Sequence, residues 1–424
     1  MTMNQHQKPH RHGCPDPTGR PLLTKQEALD LLLAHAAAPD AQECVPTDQA
    51  LGRVLARPLV SAIDVPGWDN SAMDGYALCC ADLLPSGATR LRVAQRIPAG
   101  APGRPLEPGT AARIFTGAPI PPGADTVVIQ ERCTRDGDWV EVPADLTPDA
   151  NIRRAGEDIR AGTAVLAAGM RLRPQHLGLA AGVGAAQLPV YRRLRVAMFA
   201  TGDELVWPGQ ALGPGQIYNS NRFTMKGLLE GLGCEVSDLG LVPDTLEATM
   251  ETLNRGVDGA DLILASGGVS VGEEDHVKPA IERLGTLDLW QIAVRPGKPL
   301  AFGHIRGTPF LGSPGNPVSL FVSLLLFARP LLLRMQGVTG DLEPPGIEVP
   351  AGFDWPRPDR RREFVQARLV RGAAGDWEAV THQSRSAAAL SAAAWAEGLV
   401  EIAPQQTIAR GDPVVYLPFA GLLS

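Results

Sequence analysis

Four stretches between residues 201 and 319 combine acids, glycines and small polar residues in a pattern that suits oxyanion and metal chemistry. They are Thr201-Gly202-Asp203-Glu204, Pro243-Asp244-Thr245, the run from Ser266 to Asp275, and Ser313-Pro314-Gly315-Asn316-Pro317-Val318-Ser319; each follows a short apolar segment. Gly267, Gly268 and Gly272 let backbone N–H groups approach a ligand, with Ser270 among them. The helix expected after this loop favours negative charge at its start, so a phosphate or another oxyanion is a suitable guest. The spacing is neither that of Walker A nor G-x-G-x-x-G. Glu204, Asp244 and Asp275 are hard oxygen donors fit for Mg²⁺ carrying a phosphoanhydride, although capping a helix is an equally good use for an acid in the position of Asp244. In Val294-Arg295-Pro296-Gly297-Lys298-Pro299, two cations sit on a stretch stiffened by two prolines, which points to anion capture.

Further candidates lie upstream. The segment from Asp64 to Tyr76 carries Asp64, Asp69 and Asp74 among small residues, with no amphipathic period; Ile114-Phe115-Thr116 runs into a rigid turn, and Gly156-Glu157-Asp158 follows later. Asp, Asn and Gly favour turns for local reasons, so these stretches alone support either a loop or a site. Of the 39 basic residues only five are lysine, at 8, 25, 226, 278 and 298, a skew that codon pressure explains and that makes each lysine worth locating.

The elements that must hold these residues can be read from texture. The length of 424 residues suggests two to four domains at about 150 residues each, and 44% hydrophobic residues suffice for real cores. With 46 Gly and 38 Pro, short elements between turns are expected rather than a simple helical bundle. A net charge of −7 with no basic block gives no footprint for nucleic acid or an anionic membrane, and the apolar run Val318–Ala328 is too short to span a bilayer and reads as a buried helix. The N-terminal stretch lacks a signal-peptide core, and six scattered cysteines form no disulfide framework, which fits a cytoplasmic protein. His10, His12 and Cys14 have no second half of a zinc ligand set, so a flexible tail is the plainer reading.

Thr24 and Glu27 form a capping-box pattern, and a second short helix is expected over Asp48–Ala56. From Leu59 to Pro148 the chain reads as short strands. From Leu194, strands near 196–200, 235–241, 262–265 and 309–311 alternate with helices, the signature of a parallel sheet with crossover helices, and beyond Gly340 the texture is again β. The expected organisation is multidomain α/β plus β. A tail covers 1–21, a small helical region is split between 22–58 and 149–190, and an inserted β domain covers 59–148. An α/β domain follows over 191–338, and a C-terminal β barrel-like domain over 339–424. Ligands of such a parallel sheet bind beyond the carboxyl ends of its strands, where the four loops above converge.

Taken together, DVPGWDNSAMDGYA (64–77), RIFTGAPIPPGAD (113–125), NIRRAGEDI (151–159), TGDEL (201–205), SGGVSVGEED (266–275), RPGKP (295–299) and GSPGNPVS (312–319) resemble the molybdopterin molybdenumtransferase family, the MoeA and gephyrin E-domain proteins. The resemblance implies a four-domain elongated homodimer whose α/β domain is similar to the molybdopterin-binding fold of the adenylyltransferases. It implies a reaction in which adenylylated molybdopterin and molybdate give molybdenum cofactor, AMP and water, with a divalent metal, Mg²⁺. A molybdopterin adenylyltransferase is the implied partner that hands over the substrate.

By the same resemblance, Asp69, Thr116 and Asp158 face the α/β site of the other subunit, and Glu204, Asp244 and Asp275 surround substrate and metal. Ser270, Arg295, Lys298, Ser319 and Arg361 match positions associated with molybdate or phosphate, and Gly267, Gly268, Ser313, Pro314, Gly315, Asn316 and Pro317 line the substrate loops. Two departures stand out. Arg295 replaces the first lysine of the family's K-P-G-K-P, and Gln383-Ser384-Arg385-Ser386 stands where the family has Gln followed by Gly-Ser or Ser-Ser, leaving open which serine meets the anion. The alternatives are adenylyl transfer to molybdopterin from ATP on the same loops, and a non-catalytic gephyrin-like scaffold.

Overall fold

A computed structural model of the chain describes residues 22–269, 275–372 and 375–423; the tail of residues 1–21 and Ser270 lie outside them. At the centre is a six-stranded sheet in the spatial order Glu235–Val242, Arg195–Thr201, Leu262–Ser266, Thr308–Ser313, Pro299–Ile305, Gly285–Gln291. The first four strands are parallel and the last two antiparallel. Its central strands are covered on both faces, so they read as continuous apolar runs. Met198 and Leu264 point into one apolar cluster with Met225 and Leu229, while Phe199 and Ile263 point into another with Leu253 and Ile281. The period-two alternation of the strands thus fills both layers.

Two of these strands, 285–291 and 299–305, were not expected from the sequence. Gly303 interrupts the apolar pattern of the second, and Gly285, which opens the first, is required by packing: a Cβ there would lie 1.7 Å from the His304 carbonyl oxygen. The apolar helix also runs further than expected. The helical run Pro317–Met335 is long and apolar enough to cross a membrane, yet 89% of that window is buried inside the protein as core. It passes Arg329-Pro330 because a wide π turn over Leu324–Ala328 precedes the proline, whose missing N–H is then not needed.

Helix Lys25–Ala34 begins with the expected capping box, Thr24 and Glu27 exchanging side-chain bonds with each other's backbone N–H. Its Ala28 and Leu32 pack into the α/β core. The second expected helix, Asp48–Ala56, is absent. Only a 3-10 turn at Thr47–Gln49 forms, and Gly52 at φ +74° turns the chain. The following N–H groups are claimed across the split region, Gly52 by the Leu172 carbonyl at 2.9 Å and Leu55 by that of Met170 at 3.0 Å.

The inserted unit is a six-stranded sheet ordered Thr126–Ile129, Gly75–Leu78, Thr110–Ile114, Thr89–Ile97, Trp139–Val142, Thr134–Asp136. In the C-terminal unit Arg362–Arg371, Gly398–Ile402, Pro413–Pro418 and Ile347–Pro350 pair in turn, with Trp377–Thr381 on the other side of Arg362–Arg371. A bridge between Ala351 and Ala379 brings the two ends together, which makes the unit barrel-like. Val294–Arg295 adds to it as a parallel strand, Arg295 opposite Glu363. The stretch carrying both expected cations is therefore stitched to the C-terminal unit immediately before it enters the central sheet.

Candidate active site

The carboxyl ends of the parallel strands open into a cavity of about 930 Å³, and the C-terminal unit supplies part of its lining. Glu204, Asp244 and Asp275 line it from three successive loops. Asp244 is not the cap of the following helix, because Thr245 caps helix Leu246–Val257 by accepting the Ala248 N–H at 3.3 Å. Asp244 instead exchanges bonds with Asp203, each carboxylate accepting the other's backbone N–H at 3.1 Å. Burial pushes the Asp244 carboxyl above the usual carboxylate range; the Asp203 N–H pulls it down, and the charges of Asp203 and Glu204 push it up again. No ready-made cage of three His, Cys, Asp or Glu ligands exists among the described residues. The repulsion that Asp203 and Glu204 exert on Asp244 suits Mg²⁺, which keeps several waters and binds through one or two carboxylates together with substrate phosphates.

The floor is made by backbone. Gly267 and Gly268 have φ of +89° and +65°, and a Cβ on Gly267 would stand 2.6 Å from the Thr201 carbonyl oxygen, so neighbouring strand ends meet in a way that only glycine permits. The Gly267 N–H donates to the Ser313 carbonyl at 3.1 Å. Asn221 ties the loops together, its amide donating to Ser266 Oγ at 2.8 Å and to the Gly315 carbonyl at 2.7 Å. Pro314, Gly315, Asn316, Pro317 and Ser319 line the adjoining side. Ser313 itself does not; its side chain is fully buried beneath the loop.

The basic residues of the lining are Arg295, Lys298, Arg361 and Arg385. Arg295 Nη1 lies 2.9 Å and Arg361 Nε 3.3 Å from the Asp359 carboxylate, and Arg295 also lies 3.6 Å from Glu363. Burial works against ionisation of Asp359, but bonds from the Arg361 side chain and backbone and from Arg295 outweigh it and hold the carboxyl at about 2. Lys298 is half-buried and has no carboxylate partner among the described residues. The cavity is thus lined by both signs of charge, acids on the strand-end loops and cations on the 294–299 stretch and the C-terminal unit.

Asp69, Thr116 and Asp158 are not in this cavity. They gather on a separate surface where 64–77 pairs with the turn after Ile114 and with 151–159, through Asn70–Pro119, Asn70–Arg153 and Val65–Ile159. Asp69 accepts the Ala155 N–H at 2.9 Å and pairs with Arg154; the backbone bond first, then Arg154, hold its carboxyl below the ordinary value against some opposition from burial. Thr116 donates both its N–H and its hydroxyl to Asp74 at 2.8 Å. Asp158 is exposed.

Sequence reasoning did not single out Asn219 and Asn221, which are buried at the cavity edge with Asn219 Nδ2 and Asn221 Oδ1 unpartnered among the described residues. They lie at the start of helix Asn221–Gly231, where Asn also occurs for purely local reasons. Asp359, which fastens the two arginines, carried no signal apart from its place in a charged run.

Known proteins align with every unit of the chain. The family model for the MoeA N-terminal region (domain I and II) matches residues 23–184, the model named "Probable molybdopterin binding domain" matches 197–334, and that for the MoeA C-terminal region (domain IV) matches 348–419. A molybdopterin molybdenumtransferase from Haemophilus influenzae is 42% identical over 345 residues, 81% of this chain and 85% of the relative. One from Synechococcus elongatus is 37% identical over 405 residues, 93% and 98% of the two chains. The crystal structure of the molybdopterin biosynthesis MoeA protein from Pyrococcus horikoshii superposes with a TM-score of 0.79 at 29% identity, covering 93% of this chain and all of that one.

Proposed function

The chain belongs to the molybdopterin molybdenumtransferase family, and from that premise we propose that its cavity brings molybdate and adenylylated molybdopterin together, releasing AMP as molybdenum is inserted. It is an enzyme of molybdenum cofactor biosynthesis. The observation that carries the finer reading is the mixed lining of the cavity, with carboxylates from the strand-end loops and cations from the 294–299 stretch and the C-terminal unit. A tetrahedral oxyanion is held by Lys298, Arg295 and Arg361, while the hydroxyl of Ser319 supplies a neutral donor. Asp244, with Glu204 and Asp275, would hold Mg²⁺, which supplies charge compensation for the phosphoanhydride. The pterin and nucleotide span the floor, so the residues contribute mainly proximity and fixed charge rather than covalent chemistry.

The second surface supports a homodimer in which Asp69, Thr116 and Asp158 complete the partner's cavity. Trp68 and Met73 beside it are 56% and 48% exposed, and Ile217, Tyr218 and Phe223 on the α/β unit are 54%, 43% and 51% exposed, which is much apolar surface to leave in water. The cysteines at 44, 79, 80, 133 and 234 are all free, in keeping with a reducing cytoplasm. A molybdopterin adenylyltransferase is the natural supplier of the substrate. The deciding experiment is AMP release from adenylylated molybdopterin with and without molybdate and Mg²⁺. Release that depends on molybdate is expected; absence of release under every condition would overturn the proposal, and consumption of ATP with molybdopterin would favour adenylyl transfer instead.

A further inference from the structure

The loop between Trp377–Thr381 and Leu390–Trp395 closes the C-terminal side of the cavity, and its central residue is a cation. Ser384 and Ser386 are occupied locally: Ser384 Oγ accepts the Ser386 N–H at 3.4 Å and Ser386 Oγ accepts the Ala388 N–H at 3.2 Å. Neither serine lines the cavity, whereas Arg385 between them does. The loop is fastened to the substrate side by the Val318 N–H, which donates to the Ala387 carbonyl at 2.9 Å.

Arg385 lies with its guanidinium carbon 3.9 Å from the centroid of the Trp355 ring. Stacking occupies the face of a guanidinium and leaves its edge, where all five N–H donors lie, free to bind. No hydrogen bond or ion pair engages that edge among the described residues, in contrast to Arg295 and Arg361, which both contact Asp359. The platform is fixed as well. Trp355 is 4% exposed, and its indole N–H donates to Glu363 at 3.1 Å, the same carboxylate that faces Arg295. A planar, permanently charged fork parked on a rigid ring in a lining that carries further cations has the form of an oxyanion clamp.

We propose that Arg385, seated on Trp355, is an oxyanion-binding residue of this cavity that sets its affinity for the incoming tetrahedral anion, a role that rests on the anion-site reading above. The shared chemistry is a tetrahedral oxyanion, whether free molybdate or the phosphate of the nucleotide. Arg385→Ala, Arg385→Lys and Trp355→Phe in the full chain are titrated calorimetrically with molybdate and, separately, with AMP. Molybdate dependence of AMP release is measured alongside.

Arg385→Ala is expected to weaken molybdate binding about tenfold, the loss that corresponds to one charge-assisted hydrogen bond, and to raise the molybdate KM by more than it lowers kcat. Arg385→Lys recovers part of the loss, and Trp355→Phe, which keeps a stacking face, remains nearer to the parent. Weakening of AMP alone assigns the clamp to the nucleotide phosphate and still supports it. Unchanged affinity for both anions in a folded Arg385→Ala protein overturns the inference. Lys298→Ala separates the two levels: if the parent binds molybdate and Lys298→Ala does not, the anion site stands whatever Arg385 does, and if the parent binds neither anion, the underlying reading falls.

Discussion

Lys298→Ala tests the anion site directly, because no carboxylate among the described residues compensates the charge of Lys298. Arg295 and Arg361 converge on Asp359 at 2.9 and 3.3 Å, so part of their field is spent on that carboxylate. The ammonium of Lys298 has no such partner among the described residues, and its backbone is held independently of the side chain. The Lys298 carbonyl accepts the Ile292 N–H at 3.0 Å, and Gly297 sits where a Cβ would be 3.0 Å from Ser319 Cβ. Truncation therefore removes the charge and leaves the strand in place.

A hydrogen bond to a charged partner is worth about 1.5–3 kcal/mol, which at ~1.4 kcal/mol per decade is about a 10- to 150-fold loss of molybdate affinity. The salt dependence of binding should flatten at the same time. Calorimetric titration with molybdate, followed by molybdate-dependent AMP release, reads both effects, and Lys298→Arg tests whether charge without the compact ammonium suffices. A Lys298→Ala protein that folds and binds molybdate within about twofold of the parent would refute the assignment of these cations to the anion.

Two further outcomes follow from the same geometry. If the insert surface completes the partner's site, Asp69→Ala and Lys298→Ala are each inactive alone, yet a mixture allowed to exchange subunits regains about a quarter of parental activity, since half of the dimers then hold one intact site; no recovery despite demonstrated exchange argues against a shared site. Asp261 joins the strand start at Arg195 to the preceding segment. It accepts from Arg192 at 2.6 and 2.7 Å and from the Arg195 N–H at 2.8 Å, and these bonds overcome burial to hold its carboxyl at about 2, against an ordinary 3.8. That depression stabilises the fold above pH ~4 and is lost as pH falls through about 2, so Asp261→Asn should cost ~1–2 kcal/mol at pH 7 once solvent screening is allowed for, with the difference in calorimetric melting temperature shrinking below pH ~4. A constant difference from pH 7 to pH 3 would exclude this origin.

Much of the site was legible because its residue types are forced by local chemistry. Glycines at positive φ, a proline-braced cation pair and acids after apolar runs announce themselves one loop at a time. What stayed hidden depended on contacts between distant segments. The antiparallel strands 285–291 and 299–305 were masked because a close backbone approach requires glycine and breaks the apolar pattern. The expected helix at 48–56 was displaced because its N–H groups find carbonyls more than a hundred residues away. That Asp244 does not cap the following helix emerged only when Thr245 was seen to cap it.

By itself, the sequence determined the alternation of strands and helices, the loops at the strand ends and the chemistry those loops can offer, because periodicity, capping and glycine preference act over a few residues. Only the tertiary structure decided that Arg295 joins the C-terminal sheet opposite Glu363, that Asp359 draws two arginines together, and that Arg385 rather than its flanking serines faces the cavity. Each of these depends on which distant backbone a segment pairs with, and strand pairing is settled by the burial and hydrogen bonding of the whole fold rather than by neighbours along the chain.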